Sequence, residues 1–576
     1  MSTDKGPAII ARLRGAAASA AGRGVTFHTS PDDAEQLSYS DLDADARARA
    51  AAWRAEGLRP GDIAVLAFEP GLPFIRALVA CLYAGVTAAP TPITATRSPE
   101  AALTRLDAII HDSGASAVLA NAGALRALGV EDDGGPLGIP LIIVDGPADG
   151  DPDAWEPPER AESDLAILQY TSGSTGSPKG VMISYGNLLA NQLAMHDVSQ
   201  MSATSVCVGW LPHYHDMGLI GLILQPLYHG AQLILTSPSQ FLRRPLLWLT
   251  LLSRNRATHT VGPDFAFALC TRLATDEQIT DLDLSALETV ITGAEPVRIT
   301  TLDQFTERFS AAGFRGEAFV PAFGMAETTL LVSAHRSATP PTAVTVSAVG
   351  LELGEVRPPT EEERPVDLVL CGAPARDTEI VMVDPDRRVP VGIGAVGEIW
   401  VRGASVAQGY WNRPDATLEE FGATMMGDDR PFFRTGDLGT MIDGEVVITG
   451  RLKDLIIIRG RNIYPQDLEQ LAASAFPRGA VAAAFELPDT AQEAAIVVEA
   501  DLGDTDDAAE IVALIRRRVR DEFGLPGAGV VLIRKGSLPR TTSGKVQRSL
   551  TRSLLTANRM PVLHADGIEV PRTVDA

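Results

Sequence analysis

Cysteine is scarce in this chain: four in 576 residues, at Cys81, Cys207, Cys270 and Cys371, far apart and without a CxxC pair. That spacing excludes a disulfide framework and offers no zinc site, so the four read as buried thiols in a reducing cytoplasm. Basic residues are also in short supply, 49 Lys and Arg against 73 Asp and Glu, for a net charge of -24. A surface of that sign excludes nonspecific binding to a nucleic-acid backbone, which is held by clustered cations. Uninterrupted apolar runs are missing too. The longest, Met217 to Leu235, is broken by Gln225, Pro226, His229 and Gln232, all costly in hydrocarbon, and reads as a buried helix leading into a strand. The first two dozen residues carry Lys5, Arg12, Arg14 and Arg23 and no continuous apolar stretch, so no signal peptide is expected.

What is present is the composition of a soluble enzyme, 45% hydrophobic and 21% charged, in a chain long enough for several cores. Runs rich in Val, Ile and Leu (Ile63 to Phe68, Ala117 to Leu119, Leu141 to Val144, Leu165 to Gln169, Gln232 to Leu235, Thr289 to Ile291) alternate with helical patterns, which predicts α/β layers around buried sheets. After Glu398 the pattern shortens to strands and turns, and a new start follows Gly450 to Asp454. From there the periodicity gives a strand (Leu455 to Ile458), a helix (Gln466 to Phe476), two strands (Val481 to Leu487, Ala494 to Glu499), a helix (Asp507 to Phe523) and a strand (Val530 to Arg534). Charge divides at the same place: 16 basic residues meet 17 acidic ones from Lys453 onward, whereas 33 meet 56 before it. Residues 1–452 and 453–576 are therefore expected to be separate domains, the second a small α+β unit.

Tyr170 to Gly180, reading YTSGSTGSPKG, is the stretch richest in chemistry. Gly173, Gly176 and Gly180, with Gly186 beyond, permit backbone angles closed to other residues, and Thr171, Ser172, Ser174, Thr175 and Ser177 add hydroxyls. Exposed amides and hydroxyls make an anion nest. A Walker A loop is excluded, because Pro178 falls where that pattern needs glycine and Lys179 precedes Gly180. A strand feeding this turn and then a helix from Ser184 or Asn187 is the expected phosphate-site geometry. Four further segments follow in order: Phe323-Gly324-Met325-Ala326-Glu327-Thr328, Arg434 to Leu438 with Asp437, Gly450 to Asp454, and Pro539 to Lys545. An acidic residue beside glycine ordinarily just caps a turn, so each segment alone says little.

In this order the five segments resemble the adenylate-forming, or ANL, superfamily of acyl-CoA synthetases, peptide-synthetase adenylation domains and luciferases. The resemblance covers nearly the whole chain. It implies a large N-terminal domain, made of two layered α/β subdomains and a small β-barrel-like one, and a mobile α+β C-terminal domain. It also implies a two-step reaction, in which a carboxylate attacks the α-phosphate of ATP to give acyl-AMP and pyrophosphate and a thiol then takes the acyl group. By the same resemblance Thr171, Ser172, Gly173, Ser174, Thr175, Gly176 and Lys179 surround the β- and γ-phosphates. Glu327 and Thr171 hold Mg²⁺, Asp437 bonds the ribose with help from Arg451, and Lys545 bridges the attacking carboxylate and the α-phosphate. Gly293, Ala294 and Glu295 match the adenine-side strand end, with Gly324, Met325, Ala326 and Thr328 beside it. Phe323 falls where an aromatic ring, usually Tyr, packs on adenine; the hydroxyl is missing here. Lys453 matches the hinge. His213 and His215 are two apart but lack further metal ligands, and His215 matches the histidine beside the carboxylate pocket.

The wording of Leu211 to Gly221, Thr292 to Val297 and Arg459 to Asp467 looks most like the fatty acyl-AMP ligase branch. The polar, Pro-rich stretch Thr339 to Asp367 sits where that branch carries an insertion that disfavours free CoA. The resemblance thus implies a medium- or long-chain fatty acid as donor and the phosphopantetheine thiol of an acyl carrier protein as acceptor. An acidic carrier would meet the near-neutral small domain at Arg516 to Arg518, Arg534, Lys535, Arg548 and Arg552. A fatty acyl-CoA synthetase, or an ATP-binding regulatory protein without turnover, are the alternatives.

Overall fold

The computed structural model describes residues 6–20, 22–93, 99–130, 137–171, 178–458, 460–476, 479–487, 494–502, 507–541 and 544–568. Two large sheets carry the first part. A six-stranded sheet runs in the order Leu141–Ile143, Ala117–Ala120, Ile63–Phe68, Thr87–Pro92, Leu165–Thr171, Lys179–Ser184, parallel until its last pair. Its runs of β-branched and small residues are buried on both faces, as in Ile63–Phe68, because helices cover both sides. A nine-stranded sheet has the parallel strands Gly24–His28, Gln232–Thr236, Val206–Gly209, His259–Gly262, Thr289–Thr292 and Phe319–Gly324 at its centre. The interrupted apolar run behaves as expected, with helical turns over Met217–Leu224 and Gln225–His229 that lead into the strand Gln232–Thr236. An antiparallel sheet, in which the 15-residue strand Asp428–Ile442 pairs with Gly397–Gly403 and Glu445–Arg451, supplies the third piece.

The chain after Lys453 builds its own core. The helix Ala508–Phe523 buries Val512, Ile515, Val519 and Phe523 against the sheet of Ala480–Phe485, Ala495–Ala500, Gly529–Arg534 and Val562–Asp566. Asp507 caps it, accepting from the amides of Ala509 and Glu510. The last strand, Val562–Asp566, and the helix Arg548–Thr556 were not legible as such in the sequence.

The helix expected from Ser184 or Asn187 is present, but the residues before it, Lys179–Ser184, form a strand antiparallel to Leu165–Thr171 that the sequence reading did not give. The helix Tyr185–Ser199 begins only after it, with Ser184 and Asn187 forming a reciprocal capping box. Four strand residues, Val181 to Ser184, thus lie between that stretch and the helix terminus, about 13 Å at ordinary strand rise. Thr339 to Asp367 contains a hairpin, Ala343–Ser347 with Pro365–Val369, carrying the short helix Ala348–Glu352. It also touches the last part of the chain: Glu352 pairs with Arg461 at 2.7 Å, Arg364 with Asp467 at 3.0 Å, and Tyr464 packs against Val346 and Leu351.

Candidate active site

The carboxyl ends of parallel strands in an open α/β sheet are where crevices form. Here a cavity of about 120 Å³ opens where Thr289–Thr292 and Phe319–Gly324 end, bounded by Gly293, Ala294, Phe323, His215 and Asp216. Lys545, which arrives from the far end of the sequence, completes the wall. Its loop is closed by Thr541, whose hydroxyl accepts from the Lys545 amide at 3.1 Å and whose amide donates to the Lys545 carbonyl at 2.7 Å. Gly324 is required by close approach: a Cβ there would lie 1.8 Å from the Leu330 carbonyl oxygen. Ala294 turns the chain at the cavity edge with φ of 67°, a left-handed conformation that few non-glycine residues adopt.

His215 Nδ1 lies 2.7 Å from Asp216 Oδ1. Burial alone would raise the Asp216 carboxyl, but His215 and, further off, Lys545 outweigh it and hold the group below the ordinary carboxylate range. His213 does a different job. It is buried against Phe74, ring centroids 4.1 Å apart, and burial pushes its imidazole down to about 3. Among the described residues no group of three or more His, Cys, Asp or Glu could hold a metal.

Asp437 and Arg451 stand opposite each other on neighbouring strands, paired at 3.0 Å. Burial raises the Asp437 carboxyl, opposed by Arg451 and Lys545. Glu327, in the short helical turn Ala326–Thr328, is raised by burial and accepts from Tyr410 Oη at 3.0 Å. Tyr410 Oη also lies 2.7 Å from Glu420, whose other oxygen pairs with Lys179 Nζ at 3.0 Å. Lys179 and Glu327, 148 positions apart in sequence, are thus joined through two residues that sequence reasoning did not select. No local signal marks them. Tyr410 and Glu420 acquire their role only through tertiary contact.

The structure gathers His215, Gly293, Ala294, Phe323, Gly324, Met325 and Lys545 around one cavity. Three of the expected nucleotide contacts have partners within the protein. The Glu295 carboxylate accepts from the Phe265 amide at 2.7 Å in the first turn of the helix Asp264–Leu273. The Thr328 hydroxyl donates to the Met325 carbonyl at 2.9 Å, and Ala326 is packed into the main core. Ser172, Gly173, Ser174, Thr175 and Gly176 lie outside the described residues, and Thr171 ends the strand that precedes them. Lys453 is exposed in the short helical turn Leu452–Asp454. The expected basic docking face is largely neutralised: Arg516 pairs with Asp566, Arg518 with Glu522, Lys535 with Asp501, and Arg548 with Glu469 and Asp454. Arg517, Arg534 and Arg552 remain exposed.

Residues 15–411 match a family described as AMP-binding enzyme. The medium-chain fatty acid–acyl-carrier-protein ligase JamA of Moorena producens (strain JHB) is 40% identical over 534 residues, 90% of each chain. The 4-hydroxyphenylalkanoate adenylyltransferase of Mycobacterium tuberculosis (strain ATCC 25618 / H37Rv) is 34% identical over 512 residues, 85% of this chain and 81% of the relative. Among solved structures, a fatty acyl-adenylate ligase from L. pneumophila in complex with acyl adenylate and pyrophosphate aligns at a TM-score of 0.75 with 35% identity, covering 97% of both chains. A structure from studies of the E. coli and L. pneumophila fatty acyl-adenylate ligases aligns at 0.87 with 31% identity, covering 97% of this chain and 99% of the other.

Proposed function

The chain belongs to the AMP-binding enzyme family, and from that premise we propose that it activates a medium- or long-chain fatty acid with ATP and passes the acyl group to an acyl carrier protein. The observation that carries the reading is Lys545 at the cavity wall beside His215 and Asp216, with Asp437 close enough to feel its charge. Bringing a carboxylate onto a polyphosphate opposes like charges, so rate must come from positioning and from cations. Lys545 supplies one at the reacting end and Lys179 another toward the β- and γ-phosphates. In the first step a carboxylate oxygen bonds to the α-phosphorus while the bond to the bridging oxygen of the β-phosphate breaks, releasing pyrophosphate. In the second a thiolate sulfur bonds to the acyl carbon and AMP leaves.

Phe323 stacks on adenine, and Asp437 with Arg451 holds the ribose. The carboxylate of Glu327, with the Thr171 hydroxyl, would hold Mg²⁺, which takes one or two carboxylates together with phosphate oxygens rather than an all-protein cage. When bound, the ion offsets polyphosphate charge. Residues 453–576 form the small domain, turning about Lys453 between the two steps; the exposed turn at Leu452–Asp454 supports that pivot.

The carrier-protein acceptor is supported by the relative JamA and by the braced hairpin at Thr339–Asp367, which biases the second step away from free CoA. Incubating octanoate or dodecanoate with ATP and Mg²⁺, and with CoA and a holo carrier protein together, followed by mass spectrometry, tests both halves. Acyl carrier protein is the expected product. Acyl-CoA in comparable amount would assign the chain to the CoA synthetases, and absence of acid-dependent pyrophosphate release would remove the activity altogether.

A further inference from the structure

The segment Gln408–Trp411 runs alongside the strand Lys179–Ser184: Gln408 N donates to Met182 O, Met182 N to Gly409 O and Trp411 N to Gly180 O, at 2.8 to 2.9 Å. This lays the Tyr410 ring under Lys179, whose ammonium sits 4.4 Å from the ring centroid. The helix Pro414–Phe421 is clamped to the same residue, since the Tyr410 amide donates to the Thr417 hydroxyl at 2.9 Å and the Tyr410 and Phe421 rings meet edge-on at 5.1 Å. Glu420 is therefore delivered to Lys179 by a fixed helix, with the 3.0 Å ion pair and the 2.7 Å contact to Tyr410 Oη as the result. Both partners of that pair are about a quarter exposed, so the ammonium keeps access to solvent.

Resting on the adenylating reading above, we infer that Glu420 and Tyr410 are positioning residues that hold Lys179 and Glu327 at the spacing needed by the β- and γ-phosphates. A lysine ammonium has three donors on a flexible stem. Glu420 takes one and the Tyr410 face restricts the stem, so the remaining donors are presented to phosphate oxygens without being ordered at the moment of binding. Tyr410 Oη, buried and within hydrogen-bond distance of both carboxylates, fixes Glu327 relative to that ammonium.

The device acts on the polyphosphate and not on the nucleoside, which gives it a signature. Titration calorimetry on the full chain with Mg²⁺ and α,β-methylene-ATP, with pyrophosphate and with AMP separates the contributions. Glu420→Gln and Glu420→Ala should weaken the analogue and pyrophosphate by about tenfold, the weight of an ordered lysine stem, and leave AMP within about twofold; Glu420→Asp should recover part of the loss. Tyr410→Phe should do the same to a smaller degree. In octanoate-dependent ATP–pyrophosphate exchange the KM for MgATP should rise and that for octanoate stay put. Equal weakening of AMP and analogue would show a merely structural role, and unchanged or tighter analogue binding would show that Glu420 competes for Lys179; either overturns the inference. A wild-type chain that binds the analogue but shows no exchange would sink the adenylating reading while leaving the relay to stand or fall on the binding arms, and a chain that binds neither nucleotide overturns both.

Discussion

Replacing Lys545 with alanine removes a cation from a cavity whose other charged neighbours, Asp216, Asp437 and Glu295, are acidic. A unit charge pair at 4 Å is worth about 4 kcal/mol at an effective dielectric of about 20. Lys545 is exposed at its loop, so solvent screens it partly, and the loss of a single donor to a developing oxyanion, about 2.7–4 kcal/mol, is the better guide. That corresponds to roughly 10²- to 10³-fold in rate. The assay is fatty-acid-dependent exchange of labelled pyrophosphate into ATP, with kcat falling by this factor and the KM for ATP little changed. A second readout is pH. Lys545 lowers both Asp216 and Asp437, so its removal should move the acidic limb of the exchange profile to higher pH. Acyl transfer from preformed acyl-adenylate should be affected far less, because the second step needs no cation between carboxylate and α-phosphate. Exchange within about threefold of wild type, or equal loss in both half-reactions, would refute the assignment of Lys545 to the first step.

Three further outcomes follow from particular contacts. Gly324→Ala places a methyl group 1.8 Å from the Leu330 carbonyl oxygen, so the turn must open; a loss of about 3 kcal/mol in urea unfolding and weaker ATP binding are expected, and an unaltered midpoint would mean that the strand end shifts freely. Ile515→Ala empties a fully buried site in the last core, with an expected cost of about 2–5 kcal/mol confined to the unfolding of residues beyond Lys453. Burial pushes His213 down to about 3 and His229 to about 4, whereas in the unfolded chain each titrates near 6.5. Below about 6.5 the unfolded state takes up protons that the native state refuses, so stability is lost as pH falls toward 3, by roughly 2 kcal/mol for the buried His213 between pH 6.5 and 5 and by less for the partly exposed His229. Denaturant midpoints at pH 7 and pH 5 measure this, and His213→Phe should flatten the difference.

Sheet strands such as Ile63–Phe68 and Thr289–Thr292 were legible because a strand buried on both faces must be apolar throughout, and the stripe of Val512, Ile515, Val519 and Phe523 because a helix packed on one side repeats every 3.6 residues. The cap at Ser184 was legible as well. What precedes it was not: Gly180 to Ile183 carries too few residues for its period to distinguish a hairpin strand from the start of a helix, and only pairing with Leu165–Thr171 decides. At the site, the internal partners of the expected residues were not legible. Glu295 accepts from a helix terminus and Thr328 bonds within its own turn, contacts that no local pattern in the sequence announces. Tyr410 and Glu420 were invisible for the same reason. Lys179 meets Glu420 across 241 positions, and no spacing in the sequence announces a contact of that range.

The contacts of Thr339–Asp367 bear on how the two half-reactions are divided. Lys545 lies at the cavity, and under the proposed reaction this is the arrangement that would serve the first step. Leaving that arrangement means breaking Arg461–Glu352 and Arg364–Asp467, each joining a partly exposed arginine to a mostly buried carboxylate. With the arginine ends open to solvent, each pair contributes on the order of 1 kcal/mol. The stronger hold is Tyr464, buried against Val346 and Leu351, an aromatic seat whose burial is worth about 1.5–3 kcal/mol. Tyr464→Ala should therefore speed the departure of the small domain more than Arg461→Ala does. Transfer to carrier protein from preformed acyl-adenylate should accelerate in the tyrosine variant while pyrophosphate exchange slows, since Lys545 is then less often in place. If the arginine variant changes the balance as much as the tyrosine variant, charge and not the apolar seat governs the restraint.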